Sequence, residues 1–234
     1  ETAAQFLSSL DTQLRAHRAT HLFLLGDIFE AWVGDDQPDE AAAKLGQALK
    51  TLATGGLRIL LMRGNRDFLL GVERAGIHPW PASHGALLLD EPSVIDLFGE
   101  RVLLAHGDAW CTDDHAYQSF RNEVRNPVWQ HAFLERPLDQ RLAIARDMRA
   151  QSERNKREQD PNDVNSEAVW RQLQESGAVR VIHGHTHRPG RYRIAPNRPA
   201  ASTAERWVLP DWQAKAQRGG WLVVDRSGWA ERPY

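Results

Sequence analysis

Three histidines fall within five residues at His183-Gly184-His185-Thr186-His187, directly after the apolar pair Val181-Ile182. Neutral imidazole is the commonest protein ligand for a transition metal. The glycine between the first two histidines lets the backbone approach whatever they bind. Three other apolar runs end in polar clusters of the same design: Gly26-Asp27, Gly64-Asn65-Arg66-Asp67 and His106-Gly107-Asp108. Asp27, Asn65, His106, His185 and His187 make an oxygen-and-nitrogen donor set without thiolate. Such a set suits Mn²⁺, Fe²⁺ or Zn²⁺ rather than Ca²⁺, whose sites are all oxygen. A carboxylate can bridge two ions about 3.5–4 Å apart; such a pair clamps the attacking and leaving oxygens of a phosphoryl displacement and makes a hydroxide available near neutral pH. Taken singly, each cluster has a plainer reading. Asp27 alone is a structural strand-end residue, Asn65 alone a turn residue, and the histidine loop alone a polar turn. The series of four is what points to a metal centre.

The elements before these clusters must position them. Residues 20–25, 57–62, 101–105 and 178–182 are short apolar runs of the kind that form buried strands, and each leads into one cluster. In open α/β sheets ligands bind outside the carboxyl ends of the strands, so four such ends are expected to converge. Residues 2–18 repeat apolar side chains at Phe6, Leu10 and Leu14, an amphipathic helix. Pro38 is expected to open a helix over 39–52 that Gly55-Gly56 stops. Further strands are predicted over 86–90 and 94–98, and a closing hairpin over 220–234 around Arg226-Ser227-Gly228. From 113 to 159 every segment reads helical, with Pro127 and Pro137 as first-turn residues. Phe120, Val124, Val128, Trp129, Phe133 and Leu134 form one apolar set there, with arginines and acids interspersed. That insertion is either a helical hairpin with its own small core or a cap over the metal site.

Composition bounds the alternatives. A chain of 234 residues can bury a substantial core, as one large domain or a domain with an inserted cap. A net charge of −2 removes the global signal for a nucleic-acid partner. The single Cys111 excludes an internal disulfide and suits a reducing compartment. No run of about 18 apolar residues is present to span a bilayer.

The wording of the clusters goes further. Gly26-Asp27 with Glu30, Gly64 to Asp67, His106 to Asp108 and Gly184 to His187 together resemble the calcineurin-like metallophosphoesterase superfamily. The segments LGDIFEAWVGDD, RGNRDFLLG, HGDAWCTDD, DVN (163–165) and IHGHTHRP are similar to the UDP-2,3-diacylglucosamine diphosphatase family of bacterial lipid A biosynthesis. The resemblance implies a four-layer α/β/β/α sandwich, with core residues 1–112 and 160–234 and a helical cap over 113–159 that receives acyl chains. It also implies two Mn²⁺ ions, bridged by Asp27, with Asn65, His106 and His185 around one and His187 on the other. Arg66 and His185 would be catalytic, Arg66 stabilising phosphate charge because a guanidinium cannot serve as an acid; a bland alternative for Arg66 is an ion pair with Asp67. Substrate would be held by Asn65, Arg66, Asp114, Ser152, Asn155, Lys156 and His185. The implied reaction is attack of metal-activated water on the α-phosphorus of UDP-2,3-diacylglucosamine, a lipid-linked nucleotide sugar. The implied setting is a monomer held peripherally on the cytoplasmic face of the inner membrane. One departure stands out: the superfamily opens on a strand carrying Asp-x-His, and the sequence as given opens in what resembles the following helix. The expectation is a record lacking that first core strand, and an incomplete first metal site without it. Two other readings remain open, a nucleotide phosphodiesterase of the same fold and a non-catalytic scaffold.

Overall fold

A computed structural model of the protein describes residues 2–158, 163–194 and 204–233, less the side chains of residues 3 and 152–158. Three apolar runs form a parallel sheet in the order β1 (His21–Leu25), β2 (Arg58–Met62), β3 (Ala86–Leu89). The second sheet has five strands in the order β4-β5-β6-β8-β7: β4 (Ser93–Leu97), β5 (Glu100–Leu104), β6 (Arg180–His183), β7 (Gly190–Ile194) and β8 (Ala204–Val208). Its central pairs, β5 with β6 and β6 with β8, are parallel, and its outer pairs are antiparallel. Phe98 and Gly99, both at positive φ (55° and 87°), make the two-residue turn between β4 and β5. The hairpin of β9 (Gly220–Asp225) and β10 (Gly228–Pro233) closes the described chain as predicted.

Three separate apolar cores define the layering. Leu25 and Met62 of the first sheet meet Val102, Leu104, Ile182 and Trp207 of the second, so the two sheets share one core. The other face of the first sheet packs Leu22, Ile59 and Leu61 against Leu10 of α1 (Thr2–His17) and Leu45 and Leu49 of α2 (Glu40–Thr54). The other face of the second sheet packs Leu103 and Val181 against Val169, Trp170 and Leu173 of α7 (Ser166–Ser176). Helix, sheet, sheet, helix is thus the order through the molecule, an α/β fold.

Helix α2 begins at Glu40, with Asp39 as its N-cap accepting from Ala42 N at 2.8 Å. Pro38 therefore lies ahead of the helix rather than within its first turn, because a carboxylate that satisfies an orphan N–H decides the start. A short turn of helix, α3 (Trp80–Ser83), precedes β3. Three helices occupy most of residues 113–158: α4 (His115–Val124), α5 (Pro127–Leu134) and α6 (Leu138–Glu158). Pro127 occupies the first turn of α5 behind the N-cap Asn126. This helical segment is anchored by Arg141, only 1 % exposed, which reaches from α6 to Asp36 (Nη1 to Oδ1, 2.8 Å). Among the described residues no helix is long and apolar enough to cross a membrane. At the edge of the first sheet, a groove of about 2000 Å³ runs beside β1 between α1 and β9 and reaches Asp27 and His106.

Candidate metal centre

Four strand ends, two from each sheet, meet at one place. Beyond β1 the chain turns through Gly26 and Asp27, both at positive φ (86° and 53°). A Cβ on Gly26 would lie 2.5 Å from His106 Nδ1, and one on Gly64 would lie 2.2 Å from both Asp27 N and Asp27 Oδ1. These two glycines are where the loops after β1, β2 and β5 touch, and only a missing side chain allows the approach. Beneath them sits Asp67, fully buried. Its Oδ1 accepts from Gly64 N (2.6 Å) and Asp27 N (3.3 Å), and its Oδ2 accepts from Ile28 N (2.7 Å). One carboxylate thus laces the β1 and β2 loops together. Burial first, and then the neighbouring Asp27 charge, push its pKa up to about 6.

Asp27, His106 and His185 each direct a ligand atom into a common space, all within 4.8 Å of one another. Asn65 Oδ1 lies 3.0 Å from His106 Nε2 and 3.0 Å from His185 Nδ1. His106 Nδ1 is 3.0 Å from the carbonyl oxygen of Leu25. A carbonyl can only accept, so Nδ1 carries the proton and Nε2 of the neutral ring is a lone pair. That lone pair faces the amide oxygen of Asn65, another acceptor. Two acceptors turned toward one point are what a cation relieves. A backbone carbonyl fixing the far nitrogen of a ligating histidine is the usual outer support of such a site.

The electrostatics agree with the donor chemistry. Burial above all, with His106 adding to it, lowers the pKa of His185 to about 3, which keeps its ring neutral and able to ligate. Burial would lower the pKa of His106 as well, but the carboxylates of Asp27, Asp108 and Glu91 outweigh it and the net shift is upward. Acids that favour a proton there favour a metal cation equally. The residues present therefore fit a divalent ion.

The remaining expected site residues are distributed as follows. His187, at φ 53°, turns Nδ1 toward Asp211 Oδ2 at 3.4 Å and lies outside the group of three. Arg66 stands beside the donors: its backbone N donates to Asp27 Oδ1 at 2.9 Å and its Nε lies 3.6 Å from Asp27 Oδ2. Its guanidinium also pairs with Glu30, which pairs in turn with Arg149 of α6. The ion pair considered for Arg66 with Asp67 is not the one formed, because Asp67 points inward to backbone N–H groups. Asp114 is the N-cap of α4, accepting from Tyr117 N at 2.9 Å. Ser152, Asn155 and Lys156 lie on the α6 backbone with their side chains outside the described residues. His183 is fully buried, edge-on to Trp110 at 5.9 Å, with its pKa lowered to about 4, by burial foremost. Of Asp67, Asp108 and Glu91, sequence offered a role to Asp67 alone, as an ion-pair partner for Arg66. The first two sit inside the quoted motifs, whereas Glu91 carries no local signal at all.

A metal-binding α/β sandwich with donors at its strand ends is the design of a phosphoesterase, and comparison with known proteins agrees. The calcineurin-like phosphoesterase family matches residues 3–189. The chain is 44 % identical to the UDP-2,3-diacylglucosamine hydrolase of Bordetella pertussis, over 97 % of this chain and 86 % of that protein. It is 46 % identical to the Chromobacterium violaceum protein of the same name, over 90 % and 84 % respectively. The figure for the Pseudomonas aeruginosa PAO1 protein is 43 %, over 98 % and 90 %. The chain belongs to the calcineurin-like phosphoesterases and, within them, to the UDP-2,3-diacylglucosamine hydrolase family.

Proposed function

We propose that this protein hydrolyses the diphosphate of UDP-2,3-diacylglucosamine, giving UMP and 2,3-diacylglucosamine 1-phosphate in lipid A biosynthesis. The observation that carries the reading is the convergence of Asp27, Asn65, His106 and His185 beside Arg66, in a chain whose relatives bear that enzyme's name. Asp27, Asn65, His106 and His185 would hold one divalent ion, and Asp27 with His187 would contribute to a second; Mn²⁺ is the metal proposed. Bound there, such ions neutralise phosphate charge and acidify water near neutral pH. The chain's own residues supply the rest. Arg66, always charged, exchanges its contact with Glu30 for the phosphate oxygens and meets the charge that develops as the bond from the α-phosphorus to the leaving sugar phosphate stretches. His185 stays neutral and keeps its ring in place between Asn65 and Tyr117.

The substrate's two acyl chains motivate a peripheral position on the cytoplasmic face of the inner membrane, with the segment 113–159 acting as a cap. Val128 on α5, 78 % exposed, and Leu142 on α6 are the two large apolar side chains that the described part of that segment exposes. Asp114, Ser152, Asn155 and Lys156 are proposed as contacts to the sugar phosphate.

The test is Mn²⁺-dependent release of UMP from UDP-2,3-diacylglucosamine by the full-length protein, beside hydrolysis of a soluble nucleotide diester. Turnover of the lipid substrate at least tenfold above the diester is expected. A preference for the diester would transfer the assignment to a nucleotide phosphodiesterase, and metal binding without turnover of either would leave a scaffold.

A further inference from the structure

Helix α4 turns one face toward the back of the metal-binding loops. Tyr117, Arg121 and Arg125 recur at four-residue spacing and so share that face. Arg121 Nη2 donates to Glu91 Oε2 at 3.0 Å, and its Nε donates to Asp108 Oδ2 at 2.9 Å. Glu91 passes the constraint onward: its Oε1 accepts from the backbone N of His106 (2.8 Å) and of Gly107 (3.2 Å). Arg125 Nη2 donates to the carbonyl of Gly64 at 3.0 Å, one residue before Asn65. The Tyr117 hydroxyl donates to Asp108 Oδ2 at 2.5 Å, and its ring stacks on His185 at 6.1 Å. The two carboxylates at the centre are 7 % and 0 % exposed on their side chains. The hydrogen bonds land on backbone groups of His106, Gly107 and Gly64 and on Asp108, around the donors, and Tyr117 alone meets a donor ring, that of His185.

We propose that Glu91, Arg121 and Arg125 form a clamp through which α4 sets the spacing of the metal donors, which makes them positioning residues for the reaction. The loops after β2 and β5 come from different sheets, and beyond the last strand residue they are held together through the β1 loop at Gly26 and Gly64 and through this clamp. Beyond that point the clamp ties both loops to one rigid helix. A paired cluster of two arginines and two carboxylates is neutral as a set, so it can sit behind a cation site without adding net charge to it. Arg121 bridges the carboxylates of Glu91 and Asp108 through two different guanidinium nitrogens, a fixed span that a point charge lacks. The inference rests on the hydrolase reading for its catalytic consequence, and on geometry alone for its effect on metal binding.

The experiment compares Arg125→Met, Arg125→Lys, Arg121→Lys and Glu91→Gln in the full-length protein, with Leu49→Ala as a control in the buried face of α2. Mn²⁺ affinity is read without substrate, from the electron paramagnetic resonance signal of the free ion. Kinetics of UMP release and the thermal midpoint are measured on the same samples. Arg125→Met and Glu91→Gln are expected to weaken Mn²⁺ binding about tenfold, the lower end of what supporting residues around a metal carry. They should lower kcat in parallel while KM stays within about twofold, a split set by the metal's position rather than by substrate contact. The two lysine variants keep the charge but lose the planar guanidinium, and should fall between these and the wild type. Leu49→Ala should lower the thermal midpoint and leave Mn²⁺ affinity alone. The clamp is overturned if its folded variants bind Mn²⁺ within about twofold of wild type, or lose no more affinity than Leu49→Ala. If affinity falls as expected but no protein releases UMP, the clamp stands and the substrate assignment is what fails.

Discussion

Replacing Gly64 by alanine adds one methyl group at the point where two metal-bearing loops touch. The added Cβ would lie 2.2 Å from both Asp27 N and Asp27 Oδ1. Contacts below 3.0 Å are essentially never seen for a real Cβ, so the loops must separate by at least 0.8 Å, the difference between the two distances. Rotating the Asp27 side chain cannot relieve the clash, because one of the two atoms is backbone. Asp67 also resists, since it binds Gly64 N and Asp27 N with the same oxygen. A displacement near 1 Å in a catalytic constellation costs about 10² in rate, or about 2.7 kcal/mol of transition-state stabilisation. We expect Gly64→Ala to lose about 10²-fold in kcat/KM for UMP release and to weaken Mn²⁺ binding, with its circular dichroism unchanged. Gly55→Ala is the matched control: φ is −75° and the nearest atom to the new Cβ is a carbonyl at 3.3 Å, at the end of α2. It should behave as wild type. A folded Gly64→Ala protein within threefold of wild-type kcat/KM would refute the claim that loop contact sets the donor geometry.

Arg141→Met removes the buried anchor between α6 and Asp36, but Asp36 retains Arg74 at 2.7 Å, so a loss of about 2–3 kcal/mol is expected from urea unfolding. The Arg141 hydrogen bond, ahead of its charge, holds the Asp36 carboxyl below its ordinary value of 3.8. That stabilisation is present above pH 3.8 and lost as pH falls through the lower folded value, so the gap between wild type and Arg141→Met should narrow below pH 3.8. A gap that stays constant down to pH 2 would contradict the pairing. Burial, with nearby carboxylates adding to it, pushes the Cys111 thiol up to about 12. At pH 8 its thiolate is then about 10³-fold scarcer than that of an exposed cysteine, and reaction with a disulfide reagent should be slower in proportion until the protein is unfolded. Mn²⁺ at a hundred times its dissociation constant should add about 2.7 kcal/mol to stability, reversibly on chelation, and a thermal midpoint indifferent to chelator would exclude a preformed site.

Much of this architecture was legible in sequence for a local reason. A short apolar run that stops abruptly at Gly-Asp, Gly-Asn or His-Gly reads as a buried strand meeting an open loop, and His21–Leu25, Arg58–Met62, Glu100–Leu104 and Arg180–His183 are such strands. Likewise Pro127 announces the start of α5 by its own chemistry. What escaped was decided at long range. Strand β7 (Gly190–Ile194) alternates arginines with Tyr192 and owes its existence to pairing with β8. Arg141 is one of a series of arginines, with Arg136, Arg146 and Arg149, and only the fold makes it the one that is buried. Glu91 is the second of two adjacent acids before a proline, and its Oε1 accepts from residues 15 and 16 positions further along. Asp67 was visible inside its motif, but its four backbone partners come from two loops that only tertiary structure brings together.

The division of the donors between two sheets has a consequence for the chain as a polymer. Asn65 and His185 stand 120 positions apart in sequence, and Asn65 and His106 stand 41 apart. An ion gripped by all three is a reversible staple that closes two long loops at once. Loop-closure entropy grows with the logarithm of loop length, so a staple of this span removes more freedom from the unfolded ensemble than one between near neighbours. The ligating residues that serve chemistry in the folded state would then also knot the two halves of the sandwich together, and withdrawing the ion should loosen the seam between the sheets before it loosens either sheet.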